Sequence, residues 1–577
     1  MSEMLLKHFD LLATAPGGVA RLRELILTLA VRGKLVPQDP SDEPASVLLQ
    51  KIRAEKDRLI AEGRIKRDKP LAPIAHDKLP CELPQGWTWA RLTELGEFLG
   101  GKTPSTQRSM FWDGDIPWIT PKDMKQLRLS DSEDKVTQQA VDDGLALVPP
   151  QSVLVVVRSG ILRRTVPTAV NEVATTINQD LKALVLVCPE LAAYVQLIIR
   201  GFERFILLNL TKVGTTVESI QFDAFAAQPF PIPPLAEQSR IVARVEELMR
   251  LCDALEAKGK LDAAQHTQLV QTLLGTLTDS ASPVELAANW QRVAEHFDLL
   301  LDRPEAVDAL EQTILQLAVR GLLVPQDPSD EPASVLLQKI RTEKDRLIAE
   351  GKIKRDKPLA PITDEEKPFE VPAGWEWARM GELVNSSEAG WSPSCINTPR
   401  RAGHWGVLKV SAVSWGKFDP EANKELPPDL VPRPEFEVKA SDFLLSRANT
   451  EELVARSVVV GTTPVMLMLS DKIIRLDVSS QVNRAFLNLC NNSAHSRAHY
   501  ITHASGTSSS MKNVSREVVL NLPVALAPAA EQSHIVARVE ELRQLCSDLR
   551  QRLTASRTTQ VHLAEALVAA VVSPEAS

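Results

Sequence analysis

Cysteine is sparse and unpatterned in this sequence. There are six (Cys81, Cys188, Cys252, Cys395, Cys490, Cys546) in 577 residues, with no CxxC pair and no histidine at zinc-ligand spacing. Neither a disulfide framework nor a metal site is indicated, and the thiols read as reduced packing residues. Long apolar runs are missing as well. No stretch approaches the roughly 18 to 20 apolar residues of a membrane helix, and MSEMLLKHFDLLATAPGG lacks a cationic start followed by an apolar core. A cytoplasmic protein with no membrane association is expected. Positive charge is not in excess, with 66 Lys and Arg against 74 Asp and Glu and a net charge of -8. That excludes a globally basic nucleic-acid coat and leaves local basic surfaces open.

Catalytic signatures are also lacking. There is no [ND]PP[YF] for base methylation, no GxSxG, no HExxH and no paired-carboxylate nuclease pattern. One motif does match: Gly96 to Thr103, GEFLGGKT, fits the phosphate-binding loop pattern. That loop works by opening a helix whose amides face phosphate, whereas here Pro104 follows and STQRSMFWDGD has no helical period. The element reads as a turn. A binding protein is therefore favoured over an enzyme.

What the sequence does contain is a duplication. Residues 35 to 74 recur at 323 to 362 with only Ala54 changed to Thr342 and Arg64 to Lys352. HFDLL at 8 to 12 returns at 296 to 300, and GWTWAR at 86 to 91 returns as GWEWAR at 374 to 379. AEQSRIVARVEEL at 236 to 248 returns as AEQSHIVARVEEL at 530 to 542. These matches form a cycle cut open at one point. One spacer is continuous in the middle of the chain, and the other is divided between the termini, so the N- and C-terminal segments must pack together to close it. The expected segments are 1–80 (N-terminal helical part of the distal spacer), 81–235 (first globular domain), 236–368 (central helical spacer), 369–529 (second globular domain) and 530–577 (C-terminal helix).

The spacers read as helices. Ile241, Val245, Leu248, Cys252 and Leu255 form a heptad seam, interrupted after them by Gly259; Ile535, Val539, Leu542, Cys546, Leu549 and Leu553 form the second. An AEQ segment of about 40 residues, as one helix, would reach about 60 Å. Asp42 and Pro44 suggest a cap and first-turn proline ahead of Leu48, Ile52 and Leu59, with a stop at Gly63; Asp330, Pro332, Leu336, Ile340, Leu347 and Gly351 are the equivalents. The charged face KIRAEKDRLIAEGRIKRDK is either a partner surface or a solvated helix face.

The intervening regions carry short β-rich runs broken by Gly and Pro, with helical stretches such as LAAYVQLIIRGFERFILLNL, and read as mixed α/β globules. The expected class is α+β: two such domains separated by two antiparallel long-helix, coiled-coil-like spacers in a cyclic pseudo-twofold repeat. Polar and aromatic segments recur at corresponding points. GGKTPS supplies Lys102, Thr103 and Ser105, and GWSPS supplies Ser392 and Ser394. IPWITPKDM supplies Trp118 and Lys122; WGVLKVSAVSWGKF, read as a strand, supplies Lys409, Ser411 and Trp415. VVVRSGILRR places Arg158, Arg163 and Arg164 at a strand end, and LLSRANT places Arg447 and Asn449 at the matching point. VGTTVESIQ offers Thr215 and Thr216, and ASGTSSSMKNVS offers Lys512 and Asn513. Arg can donate two hydrogen bonds to guanine and Asn can do the same with adenine, while Lys and hydroxyls suit phosphates. Each segment taken singly also reads as a surface loop; their recurrence in both modules raises the set as a DNA-contacting surface.

Taken together, ILTLAVRGKLVPQDPSDEPASVLLQKI and its copy, LPQGWTWARL, GGKTPS with IPWITPKDM, FLLSRANTEELV, SDKIIRL and PFPIPPLAEQSRIV resemble the specificity subunits of type I restriction-modification enzymes over nearly the whole chain. The resemblance implies two target-recognition domains, each reading one half of an interrupted, asymmetric site in double-stranded DNA. It also implies docking of two methyltransferase subunits that carry S-adenosylmethionine, and recruitment of restriction subunits that use ATP and magnesium, with no cofactor in this chain. The second domain departs in having VALAPAAEQ where the first has PIPPLAEQ. Two other readings stand beside this one: a fused restriction-methylation enzyme, and a helical scaffold whose globules bind protein.

Overall fold

The computed structural model describes residues 13–66, 73–74, 82–212, 217–280, 283–355, 357–414, 416–506 and 511–572. The chain divides into two compact units, Met1–Asp262 with Ser556–Ser577, and Ala263–Ala555. Both are α+β and are assembled in the same way.

In the first unit, α1 (Gly18–Val31) buries Leu22, Leu25, Ile26 and Leu29, whose three- and four-residue spacing makes one stripe. The helix is followed by Gly33 at φ 67°, a left-handed conformation that side chains resist. A β-carbon there would also lie 2.5 Å from Pro84 Cγ, and Gly321 (φ 71°) repeats the arrangement at 2.6 Å from Pro372. Gly33→Ala is expected to destabilise the first unit by about 1–3 kcal/mol, read as a lower melting transition; an unchanged transition would show the approach to be slack. Next comes α2 (Ala45–Ala61), which buries Leu48 and Ile52.

The strands are β1 (Thr88–Arg91), β2 (Gly96–Gly100), β3 (Arg128–Leu129), β4 (Val153–Val156), β5 (Thr168–Asn171), β6 (Leu181–Leu186) and β7 (Pro229–Ile232). Five of them form a sheet in the order β2-β6-β4-β5-β3, antiparallel except for β3 beside β5. β4 is buried along its whole length because both sheet faces are covered. Val153 and Val155 face the core shared with α1, while Leu154 and Val156 face a second cluster around Ile119 and Ile177. A smaller sheet joins Trp112–Ile119 to Lys135–Val136 and Thr176–Ile177.

The second unit contains α4 (Pro304–Val319) and α5 (Ala333–Ala349), then β8 (Glu376–Arg379), β9 (Val384–Ala389), β10 (Phe443–Ser446), β11 (Ser457–Val459), β12 (Ile473–Val478) and β13 (Pro523–Leu526). Its sheet runs β9-β12-β10-β11, matching β2-β6-β4-β5. Phe443 and Leu445 again face the main core and Leu444 the smaller one.

Two 44-residue helices complete the scaffold: α3 (Leu235–Thr278) and α6 (Ala529–Val572). Gly259 does not interrupt α3, since one interior glycine costs only about 1 kcal/mol and packing at either end outweighs it. Residues 235–262 of α3 belong to the first unit and 263–278 to the second; α6 is divided in the opposite sense at 555 and 556. In the first unit Ile241, Val245, Leu248 and Cys252 of α3 share the core with Leu22 and Leu25 of α1 and with Ala564 near the chain end. Arg21 pairs with Glu565 at 2.8 Å, so the described N- and C-terminal segments pack together. In the second unit Ile535, Val539 and Cys546 of α6 share the core with Leu310 and Ile314 of α4 and Val270 and Leu274 of α3. The boundary between the two units thus falls inside the long helices, because each spacer half packs on the globular region beside it.

Duplicated segments invite mispairing, and two ion pairs of reversed polarity counter this. Arg23 of α1 meets Glu256 of α3 at 2.8 Å; at the equivalent places Glu311 of α4 meets Arg550 of α6 at 2.9 Å. Exchange of the two short helices would set like charges against each other.

Each globular region is closed at a neck. Its entry and exit strands pair antiparallel, Thr88↔Ile232 to Arg91↔Pro229 in the first and Glu376↔Leu526 to Arg379↔Pro523 in the second. A two-stranded ladder tolerates Pro229 and Pro231 because their missing donors can face away from the partner. Directly after each exit strand the AEQ helix locks the neck. Glu237 accepts hydrogen bonds from Trp87 Nε1 (3.0 Å) and Gln38 Nε2 (3.2 Å), and Glu531 accepts them from Trp375 Nε1 (2.8 Å) and Gln326 Nε2 (3.2 Å). Gln238 donates to Pro233 O at 2.9 Å and Gln532 to Ala527 O at 2.8 Å, so the PIPPLAEQ to VALAPAAEQ change leaves the bond intact.

The duplicated charged helix takes part as well. Lys56 Nζ donates to the carbonyls of Thr93 and Gly96, and Lys344 Nζ to those of Gly381 and Val384. One lysine of that face therefore holds the globular region, while most of the other charged residues are exposed. The Asp42 cap is corrected: Pro44 occupies the N-cap with no side-chain bond, because Asp42 is drawn to Arg240 of α3 at 2.5 Å. In the copy Pro332 is likewise the N-cap, and His534 stands where Arg240 does.

Candidate nucleic-acid interface

In each unit one sheet end gathers loops that lie far apart in sequence. In the first, β2 delivers GGKTPS to the Asn178–Asp180 turn. Gly101 is required there, since a β-carbon would fall 1.9 Å from Asn178 O. Lys102 N donates to Ile177 O (3.0 Å), and Thr103 Oγ1 hydrogen-bonds Gln179 Oε1. From the other side, Val157 N and Arg158 N both donate to Asp180 O, at 2.8 and 3.2 Å. Ser159 N then donates to Glu218 O (3.1 Å) and Ile220 N to Val157 O (2.8 Å), which brings the 217–220 segment alongside.

The phosphate-loop match is thus a strand followed by a turn, with no helix opening on it. Lys102, Ser105, Arg158, Arg163 and Arg164 are exposed, and Thr103 is half-buried. Arg158 stands 4.0 Å from Asp180. Arg163 bonds Glu218 at 2.5 Å and holds that carboxyl below its usual range. Lys122 bridges Asp134 (2.9 Å) and Glu133 (3.2 Å), and its hydrogen bond to Asp134 raises its pKa. Trp118 is corrected from surface to core: it is 7% exposed, packs edge-on against Trp112 and donates Nε1 to Lys102 O at 3.2 Å, buttressing the loop from beneath. Thr215 and Thr216 lie outside the described residues.

The second unit repeats the convergence. Gly390, Trp391 and Ser392 reach the Ser470–Lys472 turn through Trp391 N to Leu469 O (2.9 Å) and a Ser392 Oγ to Asp471 hydrogen bond. Arg447 N donates to Lys472 O (2.7 Å) and Val514 N to Arg447 O (3.0 Å), while Ala448↔Asn513 and Asn449↔Lys512 form a short antiparallel ladder. Arg447, Asn449, Lys512 and Asn513 are therefore one cluster. Ser394 and Asn513 are exposed; Lys409, Ser411, Arg447, Asn449 and Lys512 are half-buried. Lys512 lies 3.9 Å from Glu451. Asn449 spends its amide within the chain, donating to Ser414 Oγ at 2.8 Å and accepting from Thr450 N at 2.9 Å. WGVLKVSAVSWGKF is not one strand: only Gly406–Leu408 is, and Val410–Val413 is a 3-10 turn whose Ser414 meets Asn449. Trp415 lies outside the described residues.

Arg158 and Arg447 do not occupy matching points. Val156 pairs with Leu181 and Ser446 with Ile473, the first residues of equivalent strands. Arg447 therefore corresponds to Val157, Arg158 to Ala448, and Ser159 to Asn449. Val157 is buried in the core, whereas Arg447 Nε is buried with no hydrogen-bond partner among the described residues. A one-residue step along a strand reverses the face, so the two arginines, though similar in local sequence, point differently.

Sequence reasoning also missed the clamp on the Thr450–Ala455 loop. Arg497, 8% exposed, donates to the carbonyls of Glu451 (3.3 Å), Glu452 (3.2 Å) and Val454; Ser446 Oγ takes Leu453 O (2.8 Å) and Asn491 Nδ2 takes Ala455 O (2.9 Å). Five successive carbonyls are thereby satisfied from within. Burial pushes the Arg497 pKa down to about 10. Gln179, Asp471 and Lys472 were missed as well, although SDKIIRL contains two of them. Among the described residues no cluster of His, Cys, Asp or Glu could hold a metal ion, and no helix is long and apolar enough to cross a membrane.

Residues 84–265 match the family described as type I restriction modification DNA specificity domain. The chain is 40% identical over 568 residues to the type I restriction enzyme EcoEI specificity subunit of Escherichia coli, covering 96% of this chain and 94% of that one. It is 34% identical to the EcoAI specificity subunit of Escherichia coli, with the same coverage of 96% and 94%. Among solved structures, the HsdS subunit from Thermoanaerobacter tengcongensis aligns over 85% of this chain and 97% of its own at 16% identity, with a TM-score of 0.37. The chain belongs to the specificity subunits of type I restriction enzymes.

Proposed function

We infer that this chain recognises DNA for a type I restriction-modification complex and performs no chemistry itself. Each target-recognition domain, residues 81–235 and 369–529, reads one half of a bipartite, asymmetric site. The helical spacers dock two methyltransferase subunits and set the separation of the half-sites, and restriction subunits join the assembly. S-adenosylmethionine belongs to the methyltransferase subunits and ATP with magnesium to the restriction subunits. The complex works in the cytoplasm.

The observation that carries this reading is the convergence in both units of the glycine turn, the strand end and the following ladder at one sheet end. Residues 35–74 and 236–248 of the scaffold are duplicated nearly residue for residue while the side chains at that end differ, as two readers of different sequences require. Net charge of -8 does not oppose it, because partner subunits share the phosphate contacts that a lone binder must make alone.

Methylation mapping in cells expressing the chain with its methyltransferase subunits tests it. A single interrupted motif is expected. Insertion of four residues after Glu247, about one helical turn of roughly 6 Å, is expected to return both half-sites unchanged with a different gap. Altered half-sites would refute the spacer as the element that sets the gap, and no sequence-specific methylation would refute the reading itself.

A further inference from the structure

The two sheet ends differ at one comparable position. Lys102 and Trp391 each follow a glycine pressed against the turn, each donates its backbone N–H to the residue just before the turn (Ile177 O and Leu469 O), and each precedes the residue that bonds the turn, Thr103 or Ser392. The second domain thus has an indole where the first has an ammonium group.

The charge returns from elsewhere in the chain. The Arg433 guanidinium lies 4.3 Å from the Trp391 ring centroid, and its backbone N–H donates to Met468 Sδ at 3.3 Å, one residue before Leu469, which receives the Trp391 N–H. Arg433 is exposed and has no acidic partner among the described residues, unlike its neighbours: Arg401 is paired with Glu425 at 2.6 Å and Arg475 with Glu388 at 3.2 Å. Stacking at an exposed site contributes only about 0.5–1 kcal/mol. Its larger consequence is orientation. A guanidinium held over an indole ring loses less rotamer freedom on binding than a free-swinging side chain and retains N–H donors for a ligand.

We infer that Arg433, oriented by Trp391, is a DNA contact of the second target-recognition domain and replaces in space the cation that the first domain carries as Lys102. Its fork delivers two parallel hydrogen bonds to acceptors on the DNA, the edge of a guanine or the oxygens of a phosphate. The inference rests on the DNA-reading role proposed above. It makes Trp391 a positioning residue and gives the 427–437 segment, which has no place in the sequence motifs, a part in specificity.

The test is the full chain complexed with its methyltransferase subunits, binding a duplex that carries the mapped site, in a salt series. Arg433→Ala is expected to weaken binding roughly tenfold or more, with Arg433→Lys intermediate and Trp391→Ala close to Arg433→Ala. A phosphate contact lowers the salt slope by about one and weakens all sequences alike; a guanine contact relaxes one base position in the second half-site. Discrimination in the first half-site stays as in the unsubstituted complex, where Lys102→Ala serves as the reciprocal control. An Arg433→Ala complex with unchanged affinity, slope and discrimination overturns the inference, as does loss spread equally over both half-sites. Failure of the unsubstituted complex to prefer its site over a scrambled duplex would instead overturn the DNA-reading role.

Discussion

Arg447→Ala is expected to abolish discrimination at one half-site while the other is read normally. The residue stands where the first domain has Val157, a core position, yet its Nε is buried without an acceptor among the described residues. An unpaired buried donor costs about 1–3 kcal/mol, which a bound acceptor would remove. A two-pronged arginine contact to a guanine is worth about 1–3 kcal/mol, so loss of roughly tenfold to a hundredfold in discrimination is anticipated. Arg447→Val separates recognition from folding, because it installs the residue that the first domain already packs at this place. The valine variant should fold at least as well as the parent and lose the same half-site. Methylation mapping of both variants is the measurement. Retention of the second half-site by the valine variant would remove Arg447 from the reading surface.

The largest effect on stability is expected from Glu531→Ala. Loss of that carboxylate leaves Trp375 Nε1 without its acceptor at the neck of the second domain, where Trp375 is 5% exposed, while Gln326 Nε2 keeps the carbonyls of Gly321 and Val324. One stranded buried donor, whose lost bond was to a carboxylate, puts the loss at about 1–3 kcal/mol. Calorimetry should show one transition lowered, with Glu237→Ala lowering the other; a multidomain chain does not melt as one two-state unit. Glu531→Gln keeps an acceptor and should be milder. It also carries a pH signature. Burial raises the Glu531 pKa above its ordinary 4.5, so the folded form holds its proton more tightly than the unfolded one. That contribution is present below pH 4.5 and is lost as pH rises through the raised value, and Glu531→Gln removes this slope. Equal melting of Glu531→Ala and parent would show that the paired strands close the neck without the lock.

Several pieces of the fold and site were legible in the sequence because they depend on neighbours along the chain. The 3–4 spacing of Ile241, Val245, Leu248 and Cys252 marks a buried seam, and those residues are buried. Pro104 after GEFLGGKT argues against a helix, and none follows. Trp118 was misjudged for the opposite reason. Nothing local distinguishes an indole under a loop from one above it, and only the opposing Trp112 and the Lys102 carbonyl decide the matter. Gly259 was overweighted, since a local propensity of about 1 kcal/mol was set against packing that the sequence does not display.

The sequence by itself determined the duplication, its cyclic order, and the division into a preserved scaffold and divergent readers. Those follow from identity and period, which need no knowledge of what touches what. Only the tertiary structure decided why the preserved residues are preserved: Glu237 and Glu531 receive a tryptophan from the domain and a glutamine from the spacer, and Lys56 and Lys344 hold the carbonyls below. It also decided the composition of each reading end. Arg447 matches Val157 rather than Arg158, and Arg433 supplies the charge absent at Trp391. Strand register and stacking between distant segments are set by the packing of both sheet faces at once. A one-residue slip leaves local composition unchanged while sending every side chain to the opposite face.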